Sequence, residues 1–373
     1  MTAPDPLLPL LDTCERQDEV FASAFGILQE AIAQRVFPAA SVAVTHQSRL
    51  IALRAFGQFT YESNSPAVTP ATLFDLGSVT KVVATTSMAM VLFEQGLLDL
   101  DARVGDIVPE FVSDPEKDPR RRDVTLRMLL AHSSGLPAYE KLFLKAQSRD
   151  ELLHAVFTMP LATNPGSRAE YSDIGFILLG IALERLADES LDSFCPRRIF
   201  AALGMTNTTF NPPTELRAQI PPTVDDRTFR HRMIQGEVFD ENASVLGGVA
   251  SHAGVFSTAG DLARFAHAML NADVLLNRET VALFTRREST PGGTSRALGW
   301  DTPSAPSQAG KYFGPASFGH LGYTGTSLWI DPERQVSITL LTNRTWPDCS
   351  NHAIKQVRPK FHDAVMEAIE ESA

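Results

Sequence analysis

Apolar positions in the 373-residue chain recur at helical spacing through its middle, while strand-like runs stand near both ends. Val20, Phe21, Phe25, Leu28, Ile32 and Val36 share one face of a helix predicted over 15–36, with charges between them. Residues 40–45 and 50–56 are β-rich runs separated by His46-Gln47-Ser48-Arg49, which predicts an antiparallel hairpin ending at Gly57. Residues 82–95 are apolar on nearly all sides, so they predict a buried helix with Gly96 just past its end. Further helices are expected at 125–130, 150–157, 174–186, 194–203, 258–270 and 280–284, with Thr125 and Thr258 placed as caps. Residues 327–330 and 336–342 read as strands around a proline turn, and 351–370 as a closing amphipathic helix.

Strands at both ends with helices between them imply that the two ends pair into one sheet. The expected organisation is a single α+β domain. Residues 15–77 and 240–373 form its sheet portion, 78–210 a mainly helical insertion, and 211–239, with Pro212, Pro213, Pro221 and Pro222, an irregular connection. A cleft between the two portions is the default binding site.

Composition narrows the function classes. Hydrophobic and charged fractions of 44% and 21% match an ordinary globular protein rather than a disordered one. The net charge of −11 disfavours a nucleic-acid partner, because a polyanion is bound through a basic surface. Cys14, Cys195 and Cys349 are odd in number and widely spaced, so neither a disulfide framework nor a zinc site is expected. The first residues lack a basic region followed by an unbroken apolar run, and the densest apolar run, 176–183, is too short for a bilayer. A cytoplasmic protein without membrane insertion is therefore expected.

The chemistry centres on Ser78-Val79-Thr80-Lys81, at the mouth of the buried helix. A serine and a lysine three residues apart on a helix lie one turn from each other, a nucleophile with a possible base beside it. The helix start also offers free N–H groups to developing negative charge. No Gly-x-Ser-x-Gly elbow, His-Glu-x-x-His, Walker loop or Gly-x-Gly-x-x-Gly occurs, which disfavours an α/β-hydrolase, a zincin and a nucleotide-dependent enzyme.

Two later segments join this one in order: Tyr171-Ser172-Asp173 and His320-Leu321-Gly322. With the flanks 132–137 and 319–329, they make residues 20–345 resemble the serine β-lactamase and penicillin-binding-protein superfamily. Within it the chain looks similar to the class C β-lactamase-like and penicillin-binding-protein-4B-like branch. The resemblance implies a β-lactamase/transpeptidase-like fold, an antiparallel sheet flanked by terminal helices with an inserted helical subdomain. It implies no cofactor or metal, and a small-molecule or short-peptide substrate.

It further implies that Tyr171 works with Lys81 on the Ser78 proton, and that the N–H groups of Ser78 and Tyr323 form the oxyanion hole. His320 would orient the substrate, and Gly322 would let the backbone approach. Which of Lys81 and Tyr171 acts as base stays open. Asp173 stands where the family usually has asparagine. As a carboxylate it could hold Lys81 as a cation but could not donate to a substrate carbonyl. Leu321 replaces a threonine hydroxyl. Both departures point towards neutral esters or small amides, ahead of D-alanyl-D-alanine peptides and then β-lactams. An inactive scaffold of the same fold is the alternative from another class. His132 and His252 are read as loop braces.

Overall fold

A computed structural model describes residues 10–114, 118–272 and 274–372. Its centre is a six-stranded sheet in the order β1-β3-β2-β11-β10-β9, built from Leu11–Asp12 (β1), Ala39–His46 (β2), Arg49–Gly57 (β3), Phe318–Leu321 (β9), Ser327–Asp331 (β10) and Val336–Thr342 (β11). All neighbours are antiparallel except β1 and β3. The two ends of the chain meet at β2 and β11, where Ala40 faces Thr342 and Val44 faces Ile338.

The period-2 pattern of β2 explains how the sheet is covered. Ala40, Val42 and Val44 point to one face and pack with Phe21, Phe25 and Leu28 of the N-terminal segment and with Phe361 and Val365 of the closing helix. Ala39 and Ala43 point to the other face and join the larger core with Leu262 and Ala266. The terminal helices are Ala22–Ala33 (α1) and Ile354–Ser372 (α10). Continuous helix over 15–36 is not what forms: short turns at Cys14–Arg16 and Gln17–Val20 precede α1. Phe21 leaves helical geometry at φ −102°, ψ 20° and is buried against the sheet, so tertiary packing overrides local periodicity there.

Between the sheet halves lie Ser87–Glu94 (α2), Leu126–Leu130 (α3), Arg149–Phe157 (α4), Asp173–Ala187 (α5) and Leu191–Cys195 (α6). Then come Glu241–Val245 (α7), Ala259–Leu270 (α8) and Arg278–Thr285 (α9). Caps fix several starts: Thr125 accepts from the Met128 N–H, Ser148 from Glu151, Ser172 from Gly175 and Thr258 from Asp261, each satisfying an orphan donor. A small sheet joins Phe74–Asp75 (β4), Val255–Ser257 (β8) and Thr209–Phe210 (β5) in the order β4-β8-β5.

The expected irregular connection at 211–239 is corrected by the structure. It holds a helical turn, Thr214–Arg217, and a two-stranded hairpin of Pro222–Asp226 (β6) and Arg232–Gln235 (β7). Its prolines obscured the strand pattern, because Pro222 begins β6 and the pairing shifts between Pro222 and Val224, positions that tolerate a missing N–H. Asp226 closes the hairpin by accepting from the Thr228, Phe229 and Arg230 N–H groups. No helix among the described residues is long and apolar enough to cross a membrane.

Candidate active site

The nucleophile turn is assembled from three directions. β4 pairs with β8, and Gly77 then takes φ +53°, a conformation that L side chains rarely adopt. Residues 77–79 form one 3-10 turn and Lys81–Thr86 a π-helical turn that runs into α2. From the other side the segment after β9 clamps the turn. Thr324 Oγ1 donates to the Asp75 carbonyl at 2.8 Å and Thr326 Oγ1 to the Leu76 carbonyl at 2.7 Å. The third support is the Asp75 carboxylate, which accepts the N–H groups of Gly77 at 2.8 Å and Phe239 at 2.6 Å.

On this frame the three sequence segments converge. Lys81 Nζ is fully buried and lies 3.1 Å from Ser78 Oγ, 2.6 Å from Asp173 Oδ1 and 3.0 Å from the His252 carbonyl oxygen. Tyr171 Oη lies 2.7 Å from Ser78 Oγ and 3.0 Å from Asp173 Oδ1. The cap at Ser172 explains the placement: its hydroxyl starts α5 and donates to the Pro137 carbonyl at 2.6 Å. Tyr171 and Asp173 therefore project from either side of a fixed residue.

Electrostatics separates the two groups beside Ser78. Burial lowers the Lys81 pKa, while the adjacent Asp173 carboxylate opposes that shift. Burial, reinforced by Asp173, pushes the Tyr171 phenol well above its ordinary value. Tyr171 is thus held as a protonated donor, and Lys81 is the group whose proton is made easier to lose.

His132 and His252 brace the site, as their loop positions suggested. His132 Nδ1 accepts the Ser172 N–H at 3.0 Å, and its ring packs on Tyr171 and Phe176 with centroids 4.8 and 4.9 Å away. The His252 ring meets Asp240 Oδ1 at 2.9 Å while its carbonyl holds Lys81. His320 contacts its own Leu321 carbonyl through Nδ1 at 2.8 Å. Burial lowers its pKa to about 3, so the ring is neutral and its buried Nε2 has no partner.

Gly322 and Tyr323 sit against the nucleophile turn. A Cβ on Gly322 would lie 2.3 Å from the Leu76 oxygen, and one on Gly77 would lie 3.1 Å from the Tyr323 nitrogen. Neither the Ser78 nor the Tyr323 N–H is spent on a protein acceptor among the described residues. Both segments border one cavity of about 690 Å³, which also holds Tyr171, Asp173, His320 and Leu321. A second groove, of about 820 Å³, runs along the helical region past Glu110, Phe157 and Arg185, and none of Ser78, Lys81 and Tyr171 lines it.

Sequence reasoning missed Asp75, Asp240, Arg296, Arg344 and Arg358. Arg296 lies between α9 and β9, with its guanidinium 5.5 Å from the Tyr171 ring centroid. No motif marks these residues. Only the two-residue separation of Asp75 from Gly77, typical of an Asx turn, was a usable signal.

The Beta-lactamase family model matches residues 25–357. An Escherichia coli (strain K12) protein that carries the provisional name D-alanyl-D-alanine carboxypeptidase is 32% identical over 344 residues, covering 83% of this chain and 79% of the relative. The N-acetylmuramyl-L-alanine amidase of Bacillus subtilis (strain 168) is 32% identical over 343 residues, covering 83% and 77%. Among solved structures, EstCE1, a hydrolase with promiscuous acyltransferase activity, superposes with a TM-score of 0.76 at 22% identity, covering 94% of this chain and 99% of that one. The class C β-lactamase of Rhodobacter sphaeroides gives 0.71 at 21%, covering 94% and 99%. With the family match spanning most of its length, this chain belongs to the Beta-lactamase family and is a serine hydrolase of the β-lactamase/penicillin-binding-protein superfamily.

Proposed function

We propose that the chain hydrolyses carboxylic esters and small amides through an acyl-enzyme on Ser78. The observation that carries this reading is the position of Ser78 Oγ, 3.1 Å from Lys81 Nζ and 2.7 Å from Tyr171 Oη on the border of the cavity. In the proposed cycle Lys81, neutral in the reactive form, takes the Ser78 proton as Oγ attacks the carbonyl carbon. The Ser78 and Tyr323 N–H groups receive the oxyanion. The proton then passes through Tyr171 to the leaving oxygen or nitrogen, and water releases the acyl group with the same pair reversing roles.

Neutral substrates are favoured by the floor of the site. Where a cation or hydroxyl would meet a substrate anion, the chain has a neutral His320 with a bare acceptor and the apolar Leu321. A second reading, peptide or amide bonds of cell-wall fragments, is supported by the names of the two curated relatives.

Intact mass after exposure to a fluorophosphonate and, separately, to a penicillin tests both readings. The expected result is a single fluorophosphonate adduct that Ser78→Ala abolishes, with no lasting penicillin adduct. A folded protein that takes up neither reagent sinks the hydrolytic mechanism. A stable penicillin adduct moves the assignment to the cell-wall reading.

A further inference from the structure

The hairpin of β6 and β7 holds none of the reacting groups, yet its bonds lead to the oxyanion hole. Arg230 forms an ion pair with Asp226 at 2.8 Å, with only 8% and 4% of the two side chains exposed. Its terminal nitrogens donate to the Val238 and Phe239 carbonyls, each at 2.7 Å. A planar guanidinium that gives two such bonds fixes the direction of the accepting segment as well as its position. The hairpin is itself anchored: the Asp225 N–H donates to the Pro347 carbonyl at 2.9 Å, and the Phe229 ring packs on Phe143 with centroids 5.0 Å apart. Phe239 lines the cavity, and Arg230 does not.

Phe239 is tied to both halves of the oxyanion hole. Its N–H donates to Asp75 Oδ2 at 2.6 Å, while Asp75 Oδ1 accepts the N–H of Gly77 at 2.8 Å, one residue before Ser78. Its ring stacks on that of Tyr323, with centroids 5.6 Å apart and planes at 27°. Tyr323 depends on such support, because it is 52% exposed and follows Gly322, a residue type that restrains the backbone little. Arg344 holds the same residue from the segment after β11, through a 2.7 Å bond to the Tyr323 carbonyl and a guanidinium 4.3 Å from the ring centroid. The Ser78 and Tyr323 N–H groups come from distant parts of the chain, and an oxyanion gains from both only if their separation is fixed beforehand.

We propose that Phe239 is a positioning residue of the oxyanion hole, setting the Tyr323 N–H against the Ser78 N–H, and that Arg230 holds Phe239 in place from outside the cavity. This rests on the reading of Ser78 as the nucleophile. Phe239 acts through Asp75 on one donor and through the Tyr323 ring on the other, and gives no bond to the reacting atoms.

A matched pair of substrates isolates the effect: p-nitrophenyl butyrate and its thiono analogue, in which sulfur replaces the carbonyl oxygen. Sulfur is a poor acceptor of N–H bonds, so the ratio of kcat/KM between the oxygen and sulfur esters reports the hole and is independent of the fraction of protein folded. Phe239→Leu keeps the N–H to Asp75 and removes the stacked ring. It should lower kcat for the oxygen ester about tenfold with KM little changed, and lower the oxygen-to-sulfur ratio by a similar factor. Phe239→Tyr should restore both. Arg230→Lys keeps a cation beside Asp226 but cannot span the two carbonyls, and should lower the ratio in the same direction. A wild-type ratio in both Phe239→Leu and Arg230→Lys overturns the proposal, whatever their rates, and a loss carried by KM at an unchanged ratio makes Phe239 a substrate contact instead. Fluorophosphonate labelling of wild-type Ser78 separates the two ideas, since labelling with an unchanged ratio in the variants removes the positioning role alone and absence of labelling removes the mechanism beneath it.

Discussion

Asp75 shows how much of the site depends on a residue outside the chemistry. Its carboxylate is buried and joins the nucleophile turn, through Gly77, to the segment at Phe239 that leads into the Asp240–His252 pair. Burial raises its pKa to about 6. Ionised, it accepts both N–H groups. Once protonated, one oxygen becomes a donor and part of the clamp is lost. We expect kcat/KM to fall below about pH 6, and Asp75→Asn, which turns an amide donor towards one of those N–H groups, to lose about tenfold or more at all pH values. Stability should move the other way. The folded pKa lies above the unfolded value, so the native state binds the extra proton and stability declines as pH rises between about 4 and 6. Thermal unfolding of wild type against Asp75→Asn across that window checks the sign.

A second residue-scale prediction concerns Lys81. Asp173 opposes the burial-driven lowering of its pKa, so Asp173→Asn should lower that pKa further and shift the acid limb of kcat/KM towards lower pH. An unmoved limb would mean that Asp75, and not Lys81, is the group that sets it.

At the scale of elements, the close approach of β9 to the nucleophile turn is the tightest fit in the site. A methyl group on Gly322 would lie 1.9 Å from Thr326 Oγ1 and 2.3 Å from the Leu76 carbonyl, and both are held by the hydrogen bond between them. Gly322→Ala should therefore part the two segments, costing about 1–3 kcal/mol of stability and at least tenfold in the rate of fluorophosphonate labelling. A labelling rate unchanged from wild type would show that the approach is not needed. The start of α5 offers a milder test. Ser172→Ala removes a cap worth about 1 kcal/mol, measurable in denaturant unfolding, and frees the segment that carries Tyr171 and Asp173.

Most elements could be read from the chain because periodicity is local: α4, α5, α8, β2, β3 and β11 all fall where their spacing places them. The hairpin of β6 and β7 could not, since its pairing is between short runs whose prolines break the pattern.

Across the whole molecule the sheet separates two apolar cores, yet alternate residues of the same strand enter both. Leu328 and Ile330 belong to the core shared with the helical region, whereas Trp329 belongs to the core under the terminal helices. Such interlocking predicts one cooperative transition. Trp300 reports the first core and Trp329 the second, so single-tryptophan variants retaining one or the other should lose fluorescence at the same denaturant concentration. Two separated midpoints would mean that the halves fold independently.

The sequence alone determined the order of the three segments, the pairing of Ser78 with Lys81, and the membership of the fold. These depend on spacing within one turn or on short motifs, which a chain carries without its tertiary structure. Contacts across 92 and 93 positions, which set Asp173 on Lys81 and Tyr171 on Ser78, were implied by resemblance, while their distances and charge states came only from the packed site. The burial of Arg344 and Arg358 was not legible at all. An arginine in a sequence is exposed by default, and only the assembled wall of β11 and α10 removes these two from water without giving them a counter-charge.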